Sequence, residues 1–259
     1  MQYTLDILLL AGGLFFGMLI FLEVGRRIGL RKMARDPAGA DTGLSVIDGA
    51  VFTLLGLIVA FTFSGAASRF DVRRQLIVEE ANAIGTAYLR VDLLPPDAQP
   101  ALRDRFRRYL DTRLAVYHKF SDPAAAKEEL AKANTLQGEI WRQAVTASRA
   151  VDAHPDAGKL LLPALNDMID ITTTRTMAAQ MHPPTIMFVL LFGLAFTSAL
   201  LAGYGMAGGK DRRWLHSLCF AAVAAVAVYV ILDLEYPRFG LIRVDAFDRV
   251  LGELRESMK

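Results

Sequence analysis

The sequence runs to 259 residues, 53% hydrophobic and 22% charged, with 29 basic against 27 acidic residues for a formal net charge of +2. So even a balance offers no bulk attraction for nucleic acid. The apolar share is high for a soluble protein and the charged share too large for membrane helices alone, so the two must be segregated along the chain.

Four runs reach the roughly 20 apolar residues needed to cross a bilayer. The first covers residues 5–24. Residues 1–6 carry no basic side chain and the run ends at Phe21-Leu22-Glu23 without a small-residue cleavage site, so it reads as a membrane helix and not a cleaved signal. The second covers residues 44–67 and carries Asp48 near its start. The third begins behind Pro183-Pro184 and reaches about residue 204, and the fourth, rich in Ala and Val, covers 214–234. Tyr204, Trp214 and Tyr236 stand at run ends, where amphipathic rings favour the headgroup region. The runs pair into two hairpins, joined by residues 26–43 and 205–213. The lone cysteine, Cys219, lies in the fourth run and excludes an intrachain disulfide.

Between the hairpins the pattern turns amphipathic. Phe70, Ile77, Ile84 and Val91 recur every seven residues beside Ala81 and Tyr88, and the same register extended backwards meets Gly49, Gly56 and Phe63. No proline interrupts residues 42–94, which predicts one helix of about 50 residues, about 75 Å long, leaving the bilayer and continuing past it. Leu102, Phe106, Tyr109, Leu110, Leu114 and Tyr117 mark a further helix. Ser121 or Asp122 caps the next, with Pro123 at its first position; it carries Leu130, Ile140, Trp141 and Val145. After His154-Pro155-Asp156, a last helix carries Leu161, Leu165, Met168 and Ile169. The expectation is an all-α integral membrane protein. Residues 1–67 form a first transmembrane hairpin, 68–183 an extramembrane helical domain continuous with the second and third helices, 184–236 a second hairpin, and 237–259 a C-terminal tail.

Arg26, Arg27, Arg31, Lys32 and Arg35 in the first connection, with Lys210, Arg212 and Arg213 in the second, place both connections inside and the domain and termini outside. Arg69, Arg73 and Arg74, with Arg238, Arg243 and Arg249, pull the other way. His118, His154, His182 and His216 fall in no metal-ligand spacing, and no phosphate loop, GxSxG elbow or CxxC is present. An enzyme is the least expected class, and no metal or cofactor is implied.

Asp48 reads equally as an ion-path residue or as an acid at interface depth. Ser45, Gly49, Thr53, Gly56, Ala60, Ser64 and Ala67 form a stripe of small residues suited to close helix approach. The face holding Asp48, Phe52, Leu55, Val59, Thr62 and Phe63 would make a narrow apolar constriction if copies of this helix surrounded an axis, and such constrictions gate by dewetting. Arg69, Asp71 and Arg73 mark the membrane exit. Glu80 and Asn82 are expected to meet Asn166, Asp170 and Arg175 in a polar cluster that fixes the fold rather than binding an ion. Asp233 and Glu235 end the fourth run, and Arg238, behind Pro237, is the expected partner of Asp233.

These residues also carry a resemblance. Residues 56–63 (GLIVAFTF), Ser68-Arg69-Phe70-Asp71 with Arg73-Arg74, residues 80–90 (EANAIGTAYLR), residues 165–170 (LNDMID), and Asp233 with Pro237-Arg238-Phe239-Gly240 resemble the bacterial bestrophin-like family of unknown function. The resemblance covers most of the chain. True bestrophins are pentameric anion channels whose second helix lines the pore with apolar residues and runs on past the membrane. The resemblance thus implies a homo-oligomer, a pentamer, in the bacterial inner membrane, with membrane lipids and small ions as partners. This chain lacks the paired tryptophan of the bestrophin exit segment and an acidic calcium-clasp run. The leading reading is a pore-forming membrane protein with the second helix at the axis. The alternative is a non-conducting membrane anchor whose domain senses a condition or binds a partner. A transporter comes third, since no broken-helix pair or inverted repeat supports it.

Overall fold

The structure, a computed structural model, describes residues 2–35, 44–120, 122–208 and 214–258. Ser121 as a cap, the Ser45 side chain, residues 36–43 of the first connection, and Lys210, Arg212 and Arg213 lie outside the described residues. Those described are helical and contain no strand: α1 (Gln2–Arg35), α2 (Leu44–Leu89), α3 (Gln99–His118), α4 (Pro123–Ser148), α5 (Ala157–Gln180), α6 (Thr185–Gly205), α7 (Trp214–Glu235) and α8 (Asp245–Ser257). Among them four stretches are long and apolar enough to cross a membrane. The protein is an all-α integral membrane protein. It divides into two compact units, residues 1–70 with 182–242 and residues 71–181 with 243–259.

In the first unit α1 packs along α6 and α7. Leu14, Met18 and Leu22 of α1 meet Leu191, Ala195 and Ala199 of α6 and Ala221, Val228 and Leu232 of α7 in a buried core. Lipid tails are as apolar as leucine, so such helices associate through close packing, which small residues permit. A Cβ added at Gly25 would lie 1.9 Å from the carbonyl oxygen of Leu200, and one at Gly203 the same distance from that of Leu22. Nothing larger than hydrogen fits at this crossing. The helix expected to stop near residue 24 continues to Arg35. Its extension, apart from Gly25 and Gly29, is mostly good helix formers, is tied at its base by Glu23 to Arg26 and Arg27 (3.2 and 2.8 Å), and ends with Lys32 and Arg35 at the negative end of the helix dipole.

The 46 residues of α2 form one unbroken helix. Its buried positions include Leu55, Thr62, Ala66, Arg73, Ile77, Glu80 and Ile84. The strict seven-residue register extended backwards fails: Phe63, Gly56 and Gly49 are exposed. A straight α-helix drifts about 20° per heptad, so over four heptads the register leaves the buried side. From Leu55 to Ile84 is eight turns at about 3.6 residues per turn, and that is the row the structure buries. The helix passes through the short 3₁₀ turn Arg90–Leu93 and stops at Leu94, extended at φ −87° and ψ 160°, the conformation a following proline imposes.

The second unit packs the later turns of α2 with α3, α4, α5 and α8 around Ile84, Val91, Leu102, Phe106, Leu110, Ile140, Leu161, Leu165 and Leu251. Asp122 caps α4, its Oδ1 accepting the amides of Ala124 and Ala125 at 3.1 Å. Arg73 closes the end of α5, donating from Nε to the Ala178 carbonyl (3.1 Å) and from Nη2 to that of Met181 (2.8 Å), groups the last turn of a helix leaves without partners. The segment expected to be a plain tail contains α8. That helix places Leu251 and Met258 in the core and pairs Arg255 with Asp111 at 2.7 Å.

Gly25→Ala should therefore destabilise the detergent-solubilised protein by about 1–3 kcal/mol through overpacking. Gly12→Ala, where nothing lies within 4 Å, should stabilise by up to about 1 kcal/mol. Unfolding midpoints of the two variants beside wild type check this, and equal shifts would remove the argument for a backbone-to-backbone crossing.

Candidate functional site

The residues expected to line an axis do not share one environment. Leu55 and Thr62 are buried, Asp48, Phe52 and Val59 are half-buried, and Phe63 is exposed. Leu55, with Ile58 and Val59, belongs to the core of the first unit, and the Phe52 ring meets Phe220 of α7 edge to face at 6.1 Å. Thr62 returns its hydroxyl to the carbonyls of Ile58 (2.8 Å) and Val59 (3.0 Å). Most of that row is turned towards the chain's own helices. The small stripe is the uncovered part: Gly49, Thr53, Gly56, Ala60 and Ser64 are exposed, and a Cβ at Gly49 or Gly56 would meet nothing within 4 Å.

At the end of α7 the first unit holds two buried carboxylates. Glu235 is gripped by Arg69, with Nε 2.9 Å and Nη2 2.8 Å from Oε2, while His182 Nδ1 lies 3.0 Å from Oε1. The His182 ring stacks on Tyr236 with centroids 4.7 Å apart. A buried carboxylate so paired is a structural lock, since removing its partner would strand a charge. Asp233 is met by backbone in place of the expected Arg238: its Oδ2 accepts the amides of Leu241 (3.0 Å) and Ile242 (2.9 Å). Its Oδ1 is buried with no hydrogen-bond partner among the described residues and presses on Gly240, where a Cβ would come within 1.3 Å. Arg238 itself is half-buried.

In the second unit Glu80 and Arg175 come together, whereas Asn82, Asn166 and Asp170 are exposed, as is Asp71. Glu80 is fully buried. Its Oε1 accepts Arg113 Nε at 2.5 Å, and its Oε2 accepts the Tyr117 hydroxyl at 2.9 Å and a short bond from Arg175 Nη1. Arg175 Nη2 reaches on to Asp248 Oδ1 at 2.8 Å, and its guanidinium sits 3.7 Å from the centroid of the Tyr117 ring. Two acids thus face two arginines with every carboxylate oxygen of Glu80 filled, the condition under which buried charge is tolerated. Burial, helped by the Glu80 charge, pushes the Tyr117 phenol far up and keeps it a hydrogen-bond donor. Burial works against the Arg113 charge, but Tyr117 and Glu80 raise it overall. Beside this network Gln137 donates to Tyr109 (3.0 Å) and Thr172 (3.1 Å). Arg113 and Asp248 escaped the sequence reading, which took Tyr117 only as part of an apolar helix face. Arg113 follows Tyr109 and Leu110 on an apolar helix face, and an arginine there, like Asp248 three residues before Leu251, is the available signal.

Glu80 thus has both oxygens bonded within the second unit, and such a buried network resists rearrangement of the helices that carry it. Arg113→Met should cost about 3–5 kcal/mol by leaving Glu80 under-compensated, whereas Asn82→Ala should stay within about 0.5 kcal/mol. Equilibrium denaturation of the full chain in detergent measures both. A cost for Arg113→Met no larger than that for Asn82→Ala would contradict the buried network.

A bestrophin-like domain family model matches residues 8–246. Among solved structures the chain is similar to a bacterial bestrophin homologue from Klebsiella pneumoniae. One point mutant of it superposes with a TM-score of 0.72 at 15% identity over 95% of this chain and 98% of that one. A second mutant gives 0.68 at 15% identity over 94% and 96%, and a further structure of the homologue gives 0.64 at 16% over 93% and 98%. At such identities the likeness speaks for the fold. No curated protein matches the chain. Because the family model spans nearly the whole sequence, the chain belongs to the bestrophin-like family.

Proposed function

We propose that the protein is a homo-oligomeric, pore-forming membrane protein of the bestrophin type, passing small ions along an axis beside α2 in a bacterial inner membrane. The observation that carries this reading is that α2, alongside a side turned to its own unit, keeps two uncovered flanks of opposite character. Gly49, Thr53, Gly56 and Ala60 form a small flank, and Leu54, Leu57 and Phe61 form a bulky one, all exposed. At 100° per residue the two flanks are about 100° apart, near the corner angle of a five-membered ring. A bulky flank set against the small flank of the next copy gives a head-to-tail contact that closes into a ring. Val46 and Ser64, between the flanks, then face the axis together with Thr53 and Leu57, the facing edges of the two flanks. Phe63 stays beside the small flank, while Asp48, Phe52, Leu55, Val59 and Thr62 turn outward to the chain's own helices.

The burial of Leu55 and Thr62 also favours a second reading, a non-conducting anchor whose helical domain senses or binds. Planar-bilayer recording on purified oligomer separates the two. Wild type should conduct. Leu57→Ala should change single-channel conductance or open probability about twofold or more by altering an apolar constriction, and Val59→Ala should leave both near wild type. A silent wild type across salts and voltages supports the anchor. A current altered by Val59→Ala or Asp48→Asn and not by Leu57→Ala restores the other face of α2 to the axis.

A further inference from the structure

The last turns of α1 carry more charge than the membrane span or its packing requires. Arg27, Arg31 and Arg35 stand four residues apart and form one exposed row. Like charges at this spacing repel and weaken an isolated helix, and among the described residues of α1 Glu23 is the acid beside the row, shared between Arg26 and Arg27. Helical phase turns the row directly away from Gly25 and Gly29, the positions pressed against α6 and the turn after it. The row is not isolated. Followed down the same face it continues into Val24, Ile20, Phe16 and Leu9, all exposed and apolar. On the α6 side Lys32 lies 5.6 Å from the centre of the Tyr204 ring, an amphipathic residue at a helix end. The crossing at Gly25 and Gly203 leaves no room for α1 to shift against α6, so the row is presented on a rigid post.

We infer that this outer face of α1 binds anionic phospholipids, with headgroup phosphate against Arg27, Arg31 and Arg35 and an acyl chain along Val24, Ile20 and Phe16. The continuity of apolar stripe and basic row selects lipid over a soluble anion, which would gain from the arginines alone. Basic side chains beside a membrane span each add measurably to attraction for anionic lipid, and arginine pairs with phosphate through two parallel bonds. The site does not depend on whether the oligomer conducts.

The test is titration of the purified full chain in neutral detergent with fluorescent phosphatidylglycerol, with phosphatidylcholine of the same chain length and with glycerol phosphate alongside. Wild type should bind phosphatidylglycerol at least about tenfold more tightly than phosphatidylcholine, and the combined Arg27→Gln, Arg31→Gln and Arg35→Gln variant should lose about that factor. A control that removes equal charge from the second unit, Lys127→Gln with Arg142→Gln and Arg149→Gln, should bind as wild type does. Should the triple variant not purify folded, Arg31→Gln alone should weaken binding about threefold. Equal binding of the two lipids, an unchanged affinity in the α1 variants, or full competition by glycerol phosphate would overturn the inference, the last by reducing the site to a soluble-anion patch.

Discussion

A helix has a single phase, and in α2 that phase is fixed by what it buries. Leu55, Thr62 and Ala66 are held by apolar packing, and Glu80 is held by two arginines and a tyrosine whose bonds fill both of its oxygens. Rotating the helix by one residue would swing Glu80 about 100°, stranding a buried carboxylate and taking from Arg113 and Arg175 the acid they share, a far larger penalty than any apolar mismatch. Within the first unit, the burial of Leu55, Thr62 and Ala66 by itself decides which flanks of α2 stay uncovered. The character of those flanks, small residues on one and large apolar residues on the other, is what the proposed contact with a neighbouring copy rests on.

The two units solve the problem of buried charge in the same way and with different parts. In the first, Arg69 and His182 meet Glu235, and backbone amides meet Asp233. In the second, Arg113, Arg175 and Tyr117 meet Glu80, and Asp248 takes the far side of Arg175. Arginine serves backbone as well: Arg73 closes the end of α5 ahead of the Pro183-Pro184 break. In both units, then, buried acids are matched by donors from other elements of the same unit.

Much of this was legible in the sequence, for physical reasons that differ by element. The membrane helices announce themselves because about 20 apolar residues in a row have few other uses, and the long α2 follows from the absence of proline between its ends. The meeting of Glu80 with Arg175 was legible too, since both stand on otherwise apolar helix faces. The face of α2 that packs on its own unit was not. A heptad ruler and a 3.6-residue helix part company over eight turns, so Phe63, Gly56 and Gly49, exposed in the structure, were aligned with the buried register, while Leu55 and Thr62, expected at an axis, are buried within the single chain. The extension of α1 to Arg35 was hidden by its charges, which look like a loop until the glycine crossing with α6 is seen. Helix α8 was hidden by brevity, and Arg113 and Asp248 because their partners lie far away in sequence.

Asp248 has one consequence that belongs to the making of the protein rather than to its finished form. The second unit is discontinuous: residues 71–181 supply most of it, and residues 243–259 complete it after α6 and α7 have been synthesised. Arg175 therefore waits, with one side of its guanidinium open, until the whole second hairpin has been made. The domain cannot reach its final charge balance on a nascent chain that stops short of α8. Its closure is a built-in report that both hairpins exist, which ties the order of synthesis to the order of folding.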